Sequence, residues 1–245
     1  MNLHSTATEK EGLRLLQILV LVYLALLGQL LFVGGSRRFF KYYPISKTCA
    51  SAGFLVMAPF AWLTGQSNVS ATAFTICMVA LVLCAAGDIL LGFANIRGGS
   101  QGSIFKLGVM AFGLAHLVFC ALYYTESQFY LLDLLPPLLC VTITFFLEKC
   151  KVLRLRKMRV PALCYSFLVG LMVTKAVGLT VWDGFYDQRH LLLAIGSVLF
   201  IVSDIILVFM YFGTALNDRK RHILRFFNLS TYYIGVLLIA LSLFY

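Results

Sequence analysis

Eight apolar stretches, each long enough to cross a lipid bilayer as a helix, divide this sequence. They lie at about residues 14–34, 45–64, 72–95, 106–124, 129–147, 160–182, 190–212 and 228–245. A transmembrane helix needs roughly 20 apolar residues, and these stretches are continuous, whereas the strands of a transmembrane barrel alternate in hydrophobicity. We therefore predict an all-α polytopic membrane protein with eight transmembrane helices, folded as a single integral membrane domain over residues 1–245.

The charged residues support this prediction and indicate a topology. Only 12% of the residues are charged, against about 25% in soluble domains. The net charge is +10, and 16 of the 20 Lys and Arg residues fall near the first, third, fifth and seventh links between predicted helices. The positive-inside rule then places these odd-numbered loops in the cytoplasm and both termini outside. The basic excess thus indicates anionic lipid of the bilayer as a partner and gives no support to nucleic acid.

Two aspartates interrupt apolar stretches of this sequence. Asp88 lies in the third predicted helix and Asp204 in the seventh. A charge at membrane depth is costly and marks a functional site by default. Both helices run in the same direction, so both carboxyl groups are expected about 10 to 12 Å from the cytoplasmic helix ends. We predict that these two acids form the catalytic centre.

The spacing of the two acids also indicates an internal repeat. They are 116 residues apart, and the segments Gly87–Leu91 and Ser203–Leu207 around them are similar. The same spacing relates His116 to Tyr232. Four helices per half give both halves the same orientation, as in transporters built from parallel repeats. We therefore predict repeat halves at residues 14–124 and 129–245, each contributing one carboxylate.

Further polar side chains are expected at the same depth as the two aspartates. Four of them fall within the first turn or two of helices that enter from the cytoplasmic side, and one, His116, lies slightly deeper; the four are Lys47, Tyr165, Tyr232 and Tyr233. Together they predict a polar pocket that opens towards the cytoplasm. Two carboxylates in a low-dielectric pocket do not both ionise readily, so one retains its proton and the pair acts as acid and base.

Other interpretations of these residues remain open at this point. Each aspartate can serve as an interhelical hydrogen-bonding group, and paired buried carboxylates also occur in proton-coupled transporters. Lys47 is either a lysine that extends from a helix end to the interface or a group that binds a phosphate or acts in the active site. His116 is either an interhelical hydrogen-bonding residue or a catalytic one. Deeper in the sixth helix, Lys175 is expected to pair with Asp133.

The seven cysteines lie mostly inside apolar stretches. They form no Cys-x-x-Cys pair, and none has a histidine at metal-ligand spacing. We therefore interpret them as small buried hydrophobic residues and predict neither a disulfide framework nor a metal site.

Several motifs along the chain form a pattern that resembles a known family. They are Gly87-Asp88, Ala115-His116, Tyr165 with Met172, Leu199–Asp204 and the Thr-Tyr-Tyr segment within Ser230–Ser242. These motifs, with Lys47 opening the second helix, resemble the YhhN-like lysoplasmalogenases, a family of integral membrane proteins. The resemblance covers nearly the whole chain. It implies hydrolysis of the vinyl ether bond of a lysoplasmalogen, a lysophospholipid, to a fatty aldehyde and a glycerophospho-alcohol, with no required metal or other cofactor.

This reaction suits a pair of carboxyl groups. Hydrolysis of a vinyl ether needs a proton delivered to carbon, and water then attacks the resulting oxocarbenium ion. We expect Asp88 and Asp204 to share the acid and base roles. The remaining candidates are expected to position water or substrate: His116, Tyr165, Tyr232 and Tyr233 beside the acids, and Lys47, with the cytoplasmic arginines, at the substrate phosphate.

Overall fold

The computed structural model describes residues 3–65, 69–97, 102–214 and 216–245, and within these ranges the chain is almost entirely α-helical. The helices are α1 (Leu3–Gly35), α2 (Tyr43–Thr64), α3 (Ala71–Arg97), α4 (Ser103–Tyr124), α5 (Leu135–Lys149), α6 (Arg159–Trp182), α7 (Gln188–Phe212) and α8 (Asp218–Leu241). Short 3-10 turns precede α2, α5 and α6. The all-α prediction is confirmed, and each predicted apolar stretch corresponds to one helix.

Seven of the helices in the described part of the chain are long and apolar enough to cross a membrane. They are all the helices except α2, with α5 and α6 each counted together with the 3-10 turn before it. The hydropathy of α2 is lowered by Lys47, by several small polar residues and by Pro59. These lengths and hydropathies are those of an integral, multi-pass membrane protein. Eight crossings, and the side of the membrane on which each loop lies, stay predictions.

The second, third and fourth helices of each half have nearly the same spacing, and successive helices pack in the same order in both halves. Corresponding starts are Tyr43 and Arg159 (116 residues apart), Ala71 and Gln188 (117), and Ser103 and Asp218 (115). In each half successive helices pack against one another, and α2 packs against α8 as α6 packs against α4. This arrangement agrees with two parallel four-helix repeats, which stay a prediction.

Close contact between α7 and α8 depends on two glycines. A Cβ atom on Gly196 would lie 2.7 Å from the carbonyl oxygen of Gly235, and one on Gly235 would lie 2.8 Å from that of Gly196. Small residues at such crossings are typical of membrane helices. Nearer Asp204, Asn228 donates to the carbonyl and hydroxyl oxygens of Ser203, at 2.9 and 2.8 Å. These contacts fix the register of α7 next to its carboxylate.

The loop between α5 and α6 is attached to the end of α7. The Arg154 amide donates to the carbonyl of Phe212 at 2.9 Å, and the Thr214 amide donates to that of Val152 at 3.2 Å. Leu153, which forms this short antiparallel bridge with Gly213, is buried. The loop therefore closes one end of the space between α5, α6 and α7.

The predicted pairing of Lys175 with Asp133 is confirmed. The Lys175 ammonium lies 3.0 Å from the Asp133 carboxylate and donates to the Gln128 carbonyl at 2.8 Å. It also lies 4.6 Å from the centre of the Tyr124 ring. The pair therefore links α6 to the turn that precedes α5, which explains how a buried lysine is tolerated there.

The cysteines are less uniformly buried than the sequence suggested. All seven are free thiols; Cys77, Cys84 and Cys120 are buried, Cys140 is half-buried, and Cys49, Cys150 and Cys164 are exposed. The exposed ones lie on helix faces or at a helix end. An apolar stretch alone does not show which of its faces packs inward.

Glu126 anchors a polar cluster that joins the α4–α5 and α6–α7 connections. Arg189 donates to one carboxylate oxygen of Glu126 at 2.6 Å, and His190 Nε2 lies 3.2 Å from the other. Burial raises the pKa of Glu126, but the hydrogen bond of His190 and the charge and hydrogen bond of Arg189 outweigh it, so the pKa lies below its ordinary value. The charged form of Glu126 thus contributes to folding stability.

We expect this contribution to disappear in acid. Because the folded-state pKa of Glu126 is lower than the unfolded value of about 4.3, the stabilisation is complete above that value and is lost as the pH falls through the folded pKa. Glu126→Gln should therefore lower the melting temperature in detergent at pH 6, and the difference from the wild type should shrink below about pH 4. A difference that does not change with pH would contradict this assignment.

Candidate functional site

Asp88 is the centre of a buried polar cluster contributed by α2, α3 and α8. Lys47 Nζ lies 2.7 Å from Asp88 Oδ1. The other oxygen, Oδ2, accepts hydrogen bonds from Ser51 at 2.6 Å, Tyr232 at 2.8 Å and Tyr233 at 3.2 Å. Asp88 has no exposed surface and Lys47 is 5% exposed. A buried carboxylate is tolerated when it is paired and hydrogen-bonded in this way.

Two glycines of α3 leave room for this cluster. A Cβ atom on Gly92 would lie 3.1 Å from Pro44 Cα, so α2 approaches α3 closely where Lys47 reaches Asp88. A Cβ atom on Gly87 would lie 2.6 Å from the Phe112 ring of α4. The neighbours of Asp88 along α3 therefore let both adjacent helices approach the carboxylate.

Asp204 has a different set of partners, contributed by α4 and α6. The Tyr165 hydroxyl donates to Asp204 Oδ2 at 3.0 Å, and His116 Nε2 lies 3.3 Å from the same oxygen. The other ring nitrogen of His116, Nδ1, lies 2.6 Å from the carbonyl oxygen of Phe112. His116 is fully buried, whereas Asp204 is 8% exposed.

The environment of His116 determines its tautomer. The Phe112 carbonyl can only accept a hydrogen bond, so Nδ1 must carry a hydrogen. In the neutral ring Nε2 then carries no hydrogen, and its lone pair faces Asp204 Oδ2. A bond between the two groups therefore requires one further proton, held by either the carboxyl group or the ring. The two atoms, 3.3 Å apart, are thus placed so that a proton on either group can bond to the other.

Aromatic side chains separate the two acid clusters. The Phe200 ring lies 4.8 Å from that of His116 and 5.1 Å from that of Tyr232, centre to centre. The structure brings all seven predicted site residues into two adjoining clusters, where the sequence had predicted one pocket. They are Lys47, Asp88, Tyr232 and Tyr233 in the first cluster, and His116, Tyr165 and Asp204 in the second.

Asp204 lines a cavity of about 230 Å³ between α5, α6 and α7. Tyr165 and Asp204 contribute polar groups to its wall, which is otherwise mostly aliphatic, with Ile143, Ile201 and Val208 among its residues. A hydrocarbon chain could occupy this space with the Asp204 carboxyl group against it. Asp88, by contrast, has no exposed surface through which a substrate could reach it.

A second and larger cavity, of about 410 Å³, lies between α4 and α6. Tyr165 lines this cavity as well as the first one, so its side chain forms a wall common to both. Lys106 and Lys157 also line it, and most of the remaining lining is apolar. The Asp204 cluster therefore lies behind a side chain that is accessible from two sides.

Sequence reasoning missed Ser51, which donates the shortest hydrogen bond to Asp88. The signal was its position four residues after Lys47 in α2, since residues at this spacing share one face of a helix. Lys47 itself lies against Asp88, and its ammonium is 6.0 Å from the Tyr232 ring centre. This burial favours a role in holding Asp88, and the binding of a substrate phosphate by Lys47 stays a prediction.

One group of residues outside these clusters has the composition of a metal site. Ligand atoms of Asp183, Asp187 and His190 lie within 4.8 Å of one another. Both ring nitrogens of His190 are already engaged, however, Nδ1 with Asp183 at 2.5 Å and Nε2 with Glu126 at 3.2 Å. The group is therefore accounted for as part of the ion-pair cluster around Glu126.

Comparison with known proteins gives one match, to a family model. The model of the YhhN family matches residues 44–243, a range that runs from α2 through α8 and includes every residue of both acid clusters. No curated protein and no solved structure matches the chain significantly. On the strength of the family model, the chain belongs to the YhhN family.

Proposed function

We propose that this protein is a membrane hydrolase that cleaves the vinyl ether bond of lysoplasmalogens. The products are a fatty aldehyde and a glycerophospho-alcohol. Membership of the YhhN family and the motifs described above support this reaction class. The observation that carries the proposal is the His116–Asp204 pair, whose Nε2 and Oδ2 atoms lie 3.3 Å apart at the wall of an apolar cavity.

In the first step Asp204 acts as the general acid. Its carboxyl proton passes to the vinyl carbon remote from the ether oxygen, and the electron pair of the double bond forms the new C–H bond. The carbon attached to oxygen becomes an oxocarbenium ion, which the new Asp204 carboxylate stabilises electrostatically. Tyr165, whose hydroxyl donates to Asp204 Oδ2, holds this carboxylate in place.

In the second step water adds to the oxocarbenium carbon. The Asp204–His116 pair accepts the proton released by the water, which restores the pair to its starting state. The resulting hemiacetal then breaks its bond to the glycerol oxygen, which takes up the hemiacetal hydroxyl proton overall. One water is consumed, and aldehyde and alcohol are released.

Asp88 acts in this scheme as a positioning residue. Its oxygens are occupied by Lys47, Ser51 and the two tyrosines of α8. The Tyr232 ring that it holds packs on Phe200, which in turn packs on His116. The Asp88 cluster thus supports the ring that shares a proton with Asp204.

The proposed repeat accounts for the different surroundings of the two acids. Tyr232, at the position equivalent to His116, donates to Asp88, while His116 itself contacts Asp204. Each acid is thus approached by the equivalent helix of the other half. In this proposal all eight helices span the bilayer with the basic loops in the cytoplasm. One half keeps a closed ion pair and the other an acid beside a cavity.

An aldehyde-release assay tests the reaction class. Purified protein in detergent is given vinyl ether, alkyl ether and acyl lysolipids with the same headgroup. We expect aldehyde from the vinyl ether alone, because protonation at carbon requires a double bond next to the ether oxygen. The activity should survive treatment with a chelator. Cleavage of the acyl lipid, or no aldehyde from the vinyl ether, would contradict the proposal.

The buried Lys47–Asp88 pair also fits a second function, proton-coupled transport, since paired charges inside membrane proteins often relay protons. This function predicts accumulation of substrate in proteoliposomes that depends on a pH gradient. Aldehyde release in detergent with no effect of a gradient would exclude it.

A further inference from the structure

We propose that the cavity between α4 and α6 binds the lysophospholipid substrate, with Lys106 and Lys157 holding its phosphate. This inference rests on the proposed function and adds to it the position of the headgroup. We call this cavity the α4–α6 groove; besides the two lysines, the lining residues used below are Met110, Gly113, Leu114, Leu117 and Tyr165.

The groove is cationic at one end and apolar along its length. Lys106 lies in the first turn of α4 and Lys157 in the 3-10 turn that precedes α6, so both are at the same end of the helix pair. Both are exposed, and neither is paired with a carboxylate in the described part of the chain. Two free ammonium groups at the mouth of an apolar cavity complement an amphiphile that carries a phosphate.

The size and the open side of the groove suit a single-chain lipid. Its volume of about 410 Å³ lies within the usual range for small-molecule sites, about 300–1,000 Å³. Met110, Leu114 and Leu117 on α4 are 56, 45 and 51% exposed, and in a membrane these side chains face the hydrocarbon. A lipid in the same leaflet can therefore enter from the side without leaving the bilayer.

The groove reaches Tyr165, the side chain that lies between it and the proposed catalytic acid. Lys157 precedes Tyr165 by eight residues, a separation of roughly 12 Å at the rise of an α-helix. A lysine side chain together with a glycerophosphate is of this length, so a phosphate at the lysines brings the ether linkage to Tyr165. The hydroxyl of Tyr165 donates to Asp204, which lines the neighbouring cavity. A phosphate at the lysines thus places the ether linkage beside Tyr165, the residue that hydrogen-bonds to the proposed acid.

Ligand binding tests the lysine pair without requiring turnover. The probes are a 1-alkyl lysophospholipid, which has no vinyl ether to cleave, the matching 1-alkylglycerol, which lacks the phosphate, and glycerophosphate, which lacks the chain. We expect the double variant Lys106→Gln/Lys157→Gln to bind the lysophospholipid about tenfold more weakly. Its affinity for the alkylglycerol should be unchanged, and glycerophosphate should bind neither protein measurably.

A matched control has the same loss of charge away from the groove. Lys151→Gln/Lys220→Gln removes two exposed lysines that do not line it, and should bind all probes as the wild type does. Equal lysophospholipid affinity in both double variants would overturn the proposal. So would an equal loss of affinity for the alkylglycerol, or glycerophosphate binding as tight as that of the lipid.

Filling the groove provides a second, independent test. A Cβ atom on Gly113 would make ordinary contact, 3.7 Å, with the Tyr165 ring, so Gly113→Leu can fold while its larger side chain occupies the groove. Both alkyl lipids should then bind at least tenfold more weakly. Gly178→Leu, at an α6 position with open surroundings, is the control. Unchanged binding in Gly113→Leu would show that the lipid does not bind in this groove.

These experiments separate the groove from the reaction. If the binding pattern holds and the wild type releases no aldehyde, the groove assignment stands and the proposed hydrolysis is wrong. If aldehyde is released and the Lys106→Gln/Lys157→Gln variant has an unchanged KM, the hydrolysis stands and the groove assignment is wrong.

Discussion

Asp204→Asn should reduce aldehyde release by about 10²- to 10⁴-fold, the usual contribution of a general acid. The amide cannot deliver a proton to carbon, but its oxygen can still accept the hydrogen bond from Tyr165. Asp204 is also the partly exposed acid of the two, so the uncharged amide is easily accommodated. We therefore expect kcat to fall while KM and the melting temperature change little.

A control variant separates chemistry from stability in this experiment. Asp133→Asn also removes an intramembrane carboxylate, and it leaves Lys175 buried without its ionic partner. It should lower the melting temperature while folded protein keeps its kcat. If Asp204→Asn, measured next to this control, kept the wild-type kcat, Asp204 would not be the general acid. A fall in kcat for both variants alike would indicate that damage to the fold, and not loss of the acid, explains the result.

The helices could be located from the sequence because hydrocarbon requires continuous apolar stretches, but some of their ends could not. The sixth stretch, predicted at 160–182, is observed as Arg159–Trp182. The eighth was predicted from 228, yet α8 begins at Asp218, because a polar first section is helical and the Asn217 side chain caps it through the Lys220 amide. Hydropathy cannot detect such polar turns.

The prolines of the fifth helix show a related limit. The stretch was predicted from 129, but α5 begins at Leu135, with prolines at its first positions. Proline lacks the amide hydrogen that an interior helix position requires, and its fixed backbone angle suits the first turn. The residues before it form a 3-10 turn that is held by Asp133.

For the site, the sequence indicated which residues belong together but not which of them touch. Depth follows from counting along a helix, and it placed Lys47, Asp88 and Asp204 at one level. Contacts depend on how each helix is rotated about its axis, and this is set by packing such as that of Gly87 on Phe112. The observed rotation of the helices brings Lys47 into contact with Asp88 and His116 into contact with Asp204. One predicted pocket therefore becomes two clusters with different partners.

Separating Lys47 from Asp88 should cause the largest loss of stability among these variants. The pair is almost completely buried, with side-chain exposures of 6% and 0%. Removing one partner of such a pair costs about 3–5 kcal/mol, because the remaining charge has no counterion. We expect this loss for both Lys47→Met and Asp88→Asn, with Asp88→Asn the more damaging, since in Lys47→Met three hydroxyl groups still donate to the carboxylate.

The double variant Lys47→Met/Asp88→Asn distinguishes a positioning role from a direct chemical role for Asp88. Removing both charges eliminates the unpaired ion, so stability in detergent should recover part of the loss, with a favourable coupling energy in the double-mutant cycle. If Asp88 acts only by holding the tyrosines that support Phe200 and His116, aldehyde release should recover together with stability. A stable double variant without activity would place the Asp88 carboxylate in the reaction itself, because packing would be restored and only the acid would be missing.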